Sequence, residues 1–215
     1  MTNLLQNKAK NILAIVFSSI YAFMVFLNFN FTLYGSWRYT IKSIFTNTLS
    51  LLLPVAIIVF IALKNNQGAF KKLLLPIVFG AVLVKGTYTL FMSFLNLFTV
   101  LNADIEPLHL ITLFLSCLSF AAVVLMFVGT LGSFKNIALL KYGALASAII
   151  LALIFLLDFI LAGGFTYFKT ISEISTPLFL FNQIKSWLRF LSQILFYIGL
   201  FILFPTKKIL CEKEQ

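Results

Sequence analysis

Six long apolar stretches follow one another along the chain, separated by short polar connections. They cover residues 11–34, 41–63, 73–101, 108–131, 139–165 and 178–204. A helix needs about 20 apolar residues to cross the roughly 30 Å hydrocarbon core of a bilayer, and each stretch is long enough. The sequence therefore predicts an all-α, polytopic membrane protein with six transmembrane helices.

The composition supports a lipid environment. Of the 215 residues, 61% are hydrophobic and 10% are charged, and the mean hydropathy is +1.06. Soluble domains carry about 25% charged residues, and a fold of this size has too much surface to hide so many apolar side chains. Because no polar connection is long enough for a soluble domain, we expect residues 1–215 to form a single transmembrane domain.

Lysine and arginine are distributed unevenly over the two sides of the predicted bundle. With the N-terminus in the cytoplasm, that side carries ten of these residues and the opposite side carries five. Cytoplasmic connections of membrane proteins are enriched in Lys and Arg, so we predict cytoplasmic N- and C-termini and a location in the cytoplasmic membrane. The net charge of +10 forms no basic stripe, so the expected partner is the lipid bilayer and not nucleic acid.

A repeat of about 67 residues is a further hypothesis. A Phe-Thr pair closes each odd-numbered stretch, at Phe31, Phe98 and Phe165, with 67 residues between successive pairs. Three tandem two-helix repeats would fit this spacing, and repeats of this kind occur in transporters. Six evenly spaced Phe-rich helices could also produce such echoes by chance.

Away from their ends, the predicted spans contain four charged residues: Lys85, Asp158, Lys185 and Arg189. Charges in a membrane helix are unfavourable by about 2.5–3.5 kcal/mol on insertion scales, and they therefore suggest function. Lys85 and Asp158 reach similar depths in the third and fifth helices, which predicts an ion pair if those helices touch. The alternative is that the pair only fixes helix register.

Polar side chains concentrate in the predicted outer half of the bundle, whereas the inner half is almost purely apolar. This asymmetry predicts a pocket that is open to the exterior and closed towards the cytoplasm. Its candidate lining combines the charged residues with three amides: Lys85, Asp158, Lys185, Arg189, Asn28, Asn47 and Asn96. The surplus of positive charge would favour a small anionic solute, with Arg189 as a bidentate donor. Alternatively, the cations snorkel to the interface and the asparagines hold helices together.

A stripe of small residues on the fifth helix suggests a different function. Ala144, Ala148 and Ala152 recur every four residues, a spacing that lets another helix approach closely. Packing inside the bundle is one interpretation, and a surface for a second membrane subunit is the other. The corresponding function would be a non-transporting subunit, such as a permease half, an immunity protein or a scaffold.

Enzyme chemistry is the least favoured class. The single histidine, His109, lies near Asp104 and Glu106, but one histidine and two carboxylates on a short loop are weak evidence for a metal site. The chain carries no nucleophile elbow, Walker loop or dinucleotide fingerprint. We therefore expect no enzyme activity, no cofactor and no metal, and we predict binding or transport of a small anionic solute.

Overall fold

The computed structural model of the protein describes residues 2–28, 37–63, 69–100, 107–131, 137–161 and 177–204. Side chains are described through most of the helix interiors, chiefly at 8–28, 44–63, 73–95, 113–131, 137–157 and 184–204. These ranges form six helices and contain no strand. The helices are α1 (Thr2–Leu27), α2 (Trp37–Ala62), α3 (Ala69–Val100), α4 (Pro107–Thr130), α5 (Ile137–Leu161) and α6 (Pro177–Leu203).

Each helix contains an apolar segment of 18 to 23 residues that is long enough to cross a membrane. The prediction of an all-α chain with six such helices is therefore confirmed, and the fold is compatible with an integral membrane protein. Pro107 and Pro177 are the first residues of α4 and α6, where a missing backbone N–H breaks no helical hydrogen bond. Pro54 and Pro76 lie inside α2 and α3, which continue through them.

The helices follow sequence order around a ring. Each packs against its neighbours in the sequence, and α6 also packs against α1, which closes the ring. Sequence neighbours run antiparallel: Phe155 of α5 meets Trp187 near the start of α6, and Lys141 near the start of α5 meets Phe201 near the end of α6. Short connections between successive helices produce this arrangement.

The two halves of the ring differ in character. We call the half that contains Leu75, Leu140 and Phe204 the closed half, and the half that contains Asn28, Asn47 and Arg189 the polar half. The closed half holds a dense apolar core whose largest fully buried members are Phe79, Ile57, Leu75, Met126, Leu140 and Leu200. Most of the outward surface is apolar as well, with large exposed side chains on all six helices. A helix bundle that is apolar inside and outside is typical of a lipid environment.

Two glycines bring α4 and α5 into close contact in the closed half. A Cβ atom on Gly143 would lie 2.8 Å from Met126 Cγ and 3.0 Å from the carbonyl oxygen of Ala122. A Cβ on Gly129 would lie 2.8 Å from Cα of Leu140. Because no larger residue fits at either position without a shift of backbone, these glycines set the distance between the two helices.

Candidate functional site

Two buried polar residues on α2 accept the hydrogen bonds that hold the site together. Asn47 and Ser50 are 8% and 6% exposed, and they lie three residues apart on one face of the helix. Ser50 donates its hydroxyl hydrogen to the carbonyl oxygen of Thr46 at 2.8 Å. Its oxygen therefore remains available as an acceptor for groups on other helices.

Lys85 of α3 reaches across to α2 and donates a hydrogen bond from Nζ to Oγ of Ser50. The hydroxyl of Tyr21, on α1, is also hydrogen-bonded to Ser50. Three helices thus meet at one serine. Lys85 is half-buried. The described partner of its ammonium group is a neutral hydroxyl, which does not balance its charge.

Arg189 of α6 contacts the same face of α2 one turn closer to the start of that helix. Its Nη2 donates to Oδ1 of Asn47 at 3.2 Å, and its carbonyl oxygen accepts a hydrogen bond from Ser192 at 2.7 Å. Lys85 and Arg189 are close enough for their charges to repel each other. We call Tyr21, Asn47, Ser50, Lys85 and Arg189 the polar cluster. Among the side chains that the structure describes, none in this cluster is acidic.

A cavity of about 270 Å³ adjoins the polar cluster. Lys85 forms part of its wall, so the cavity and the cluster share one ammonium group. Residues of α3, α4, α5 and α6 supply the lining, which is Val82, Lys85, Gly86, Thr89, Leu90, Ser116, Ser119, Phe120, Val123, Ile154, Gln193 and Tyr197. Gln193 is hydrogen-bonded to Tyr197 one turn along α6. The arrangement can hold a small solute against one cation and several hydroxyl groups.

The predicted site residues separate into two groups in the structure. Lys85, Arg189 and Asn47 come together in the polar cluster. Lys185 lies with its Nζ 5.9 Å from the ring centre of Phe181 on the same helix. Asn28 donates to the carbonyl oxygens of Met24 at 2.8 Å and Lys185 at 3.4 Å, and so joins the end of α1 to the start of α6.

Several predictions concern residues whose position or side chain the structure does not describe. Asp158 and Asn96 belong to α5 and α3, but their side chains are not among those described, so the Lys85–Asp158 pair stays a prediction. The Phe-Thr pairs of the 67-residue repeat fall largely outside the described residues, as do Asp104 and Glu106. His109 belongs to α4, but its side chain is not among those described. Among the described side chains, no group of three His, Cys, Asp or Glu residues could hold a metal ion.

The alanine stripe of α5 points mainly inward. Ala144 and Ala148 are 0% and 4% exposed and belong to the apolar core, whereas Ala152 is exposed. Ser147 lies beside them, 3% exposed, and its hydroxyl has no hydrogen-bond partner in the described part of the chain. The first two alanines therefore contribute to packing within the chain.

Sequence reasoning did not select Ser50, Tyr21 and Gln193 as site residues. Serine and tyrosine are common in membrane helices, so their presence alone carries little information. The available signal was the spacing of Asn47 and Ser50, which puts two hydrogen-bonding groups on one face of an otherwise apolar helix.

The described part of the chain forms six helices that are each long and apolar enough to span a membrane, with a cationic polar cluster inside the bundle. Comparisons with protein-family models, curated proteins and solved structures found no match to this chain.

Proposed function

We propose that the protein binds a small anionic solute in the cavity beside Lys85, as the binding step of solute capture or transport. The observation that carries this proposal is the position of the ammonium group. Lys85 lines a cavity of about 270 Å³ and donates to a neutral hydroxyl. An ammonium group that lines a cavity inside a membrane protein attracts negative charge, and an anion in the cavity would be held by it.

The second cation strengthens the proposal. The charges of Arg189 and Lys85 repel each other, and the described side-chain partner of Arg189, Asn47, is also neutral. Lys85 and Arg189 come from different helices, and both contact the buried face of α2. Together they create a positive potential in a medium of low dielectric constant, where charge interactions act over longer distances than in water. An anion in the cavity would be attracted by both charges although it touches only one.

The proposed setting is the cytoplasmic membrane, with both termini in the cytoplasm. The Lys and Arg distribution supports this orientation. With this orientation the polar half faces the exterior and the closed half faces the cytoplasm. The cavity would then receive its solute from outside the cell.

The alternative function, a non-transporting subunit that acts through the alanine stripe, is less well supported. Ala144 and Ala148 are buried within the chain, and they are therefore not accessible to a partner helix. Ala152 alone gives no continuous surface. We favour solute binding on this difference, and an Ala152→Leu variant at the exposed position is the corresponding test: it would break a complex with a second subunit if the alternative holds.

Native mass spectrometry of the protein released gently from its own membrane tests the proposal. We expect the wild type to retain an acidic small molecule, and the Lys85→Met variant to lose it. A charge-assisted hydrogen bond contributes about 1.5–3 kcal/mol, which corresponds to a roughly ten- to hundredfold change in affinity.

The matched control is Lys141→Met, which removes a lysine from the other end of the bundle. Its Nζ lies 4.7 Å from the ring centre of Phe201 and outside the cavity lining. Retention of the molecule by Lys141→Met and its loss from Lys85→Met would support the proposal. Equal retention by both variants would refute it, and a stoichiometric second polypeptide would support the subunit alternative.

A further inference from the structure

We infer that the solute is a small organic monoanion, a carboxylate with a short apolar tail. This inference rests on the proposed function and specifies the chemical class of its ligand. Three properties of the cavity lead to it: its size, its single charge and the arrangement of its walls.

The size of the cavity suits a ligand of about ten non-hydrogen atoms. Its volume is about 270 Å³, and a cavity of about 150 Å³ binds benzene, which has six such atoms. An inorganic anion such as phosphate would leave a large part of it to water. A carboxylate with a tail of four to six carbon atoms would fill it.

The charge in the wall matches one negative charge. Of the residues that line the cavity in the described part of the chain, Lys85 is the only charged one. Arg189 is absent from the lining and is engaged with Asn47. A dianion placed here would have a single ammonium group in contact with it, and its second charge would be poorly compensated.

Polar and apolar groups occupy different levels of the cavity. Thr89 and Ser116 lie on the side of the polar half, and Lys85 lies one turn below Thr89. Val82 and Val123 lie about one further turn towards the closed half and form an apolar floor. A carboxylate at the level of Lys85 would accept a hydrogen bond from its ammonium group.

The walls on either side of the floor are also apolar. Phe120 of α4, Ile154 of α5 and Leu90 of α3 contribute hydrocarbon surface to the lining. An alkyl tail that extends from the carboxylate towards Val82 and Val123 would cover this surface, and its burial is favourable. A bare ion would leave the same surface in contact with water.

Equilibrium binding to the purified protein in lipid nanodiscs tests the inference, with empty nanodiscs as the reference for partition into lipid. The probes are acetate, hexanoate, inorganic phosphate and hexylamine. Each buried CH₂ group increases affinity about fourfold, so four of them give roughly two-hundredfold. We expect hexanoate to bind roughly two-hundredfold more tightly than acetate or phosphate, and hexylamine to show no binding that depends on Lys85.

Two variants probe the floor. Val123→Phe fills the space for the tail, and it should lower the ratio of hexanoate affinity to acetate affinity at least about tenfold. Circular dichroism of the variant shows whether it is folded. Val82→Ala enlarges the floor and should improve the binding of octanoate relative to hexanoate.

The outcomes separate this inference from the function on which it rests. If phosphate or acetate binds as tightly as hexanoate and Lys85→Met abolishes that binding, the inference is wrong and the proposed function stands. If no anion shows binding that depends on Lys85, the proposed function fails as well. If Val123→Phe weakens acetate and hexanoate equally, the tail does not lie on the floor and the inference is overturned.

Discussion

The close approach of α4 and α5 at Gly129 yields a quantitative prediction for the Gly129→Ala variant. The added Cβ would lie 2.7 Å from Cβ and 2.8 Å from Cα of Leu140, whereas ordinary contact begins at 3.4 Å. One of these atoms belongs to the backbone, so rotation of a side chain cannot relieve the overlap. The backbone nitrogen of Leu140 lies closer still. The helices must separate by roughly one ångström, which forfeits about half of the contact energy between facing atoms.

The expected change in the free energy of unfolding follows from two opposing effects. Overpacking destabilises a core by about 1–3 kcal/mol, and the upper end applies because backbone must move. Replacing glycine by alanine in a helix interior contributes about 1 kcal/mol in the other direction. The net loss is therefore about 2 kcal/mol, and for a chain of this length it lowers the unfolding midpoint by about 4–8 °C.

Thermal unfolding in mild detergent, followed by circular dichroism, measures this shift. Gly80→Ala in α3 is the matched control, because its Cβ would lie at an ordinary 3.4 Å from Cε2 of Phe127. We expect Gly80→Ala to unfold at the wild-type temperature or above it. The reasoning is refuted if Gly129→Ala unfolds within about 2 °C of the wild type, or if Gly80→Ala is destabilised equally.

Three further predictions use the same preparation or intact cells. A double-mutant cycle with Asn47→Leu and Arg189→Met should give a coupling energy of about 0.6–1.7 kcal/mol in the unfolding assay, and a coupling of zero would contradict the hydrogen bond between them. Ser147→Ala should leave stability unchanged or raise it by up to about 1 kcal/mol, because the buried hydroxyl has no partner in the described structure; a clear loss would show that the hydroxyl is satisfied. In a Cys117→Ala background, a membrane-impermeant maleimide should label Cys211 only after the cells are permeabilised, and labelling of intact cells would overturn the predicted orientation.

The helices themselves could be predicted from the sequence for a physical reason. In lipid every backbone N–H and C=O group must be hydrogen-bonded within the protein. A single apolar stretch of 20 residues meets this requirement by forming a helix. Leu73–Leu95 and Ile137–Leu157 are described as apolar spans close to where hydropathy put them. The order of the helices around the ring was not predictable in this way, because apolar surfaces of similar composition do not distinguish one neighbour from another.

The site could be predicted only in part. Polarity at mid-membrane depth identified Lys85, Arg189 and Asn47, and the structure brings these three together. Depth along a helix does not give the direction of a side chain around it, however. Lys85 and Asp158 match in depth and their pairing stays a prediction, whereas the partner described for Lys85, Ser50 on α2, was not predicted. The contribution of a neutral hydroxyl was not visible without the packing of α2 against α3.

The closure of the ring has a consequence for the biosynthesis of the protein. Arg189 and Asn47 are separated by 142 positions in the chain, and α6 leaves the ribosome after the other five helices. Until α6 reaches its place beside α1, the cavity lacks the wall that contains Gln193 and Tyr197, and Lys85 lacks its neighbouring cation. A chain that stops after α5 would therefore carry five of the six apolar segments but an incomplete cavity, and Tyr21 and Ser50 would lose the cover of α6. The cavity and the closed ring thus both depend on α6.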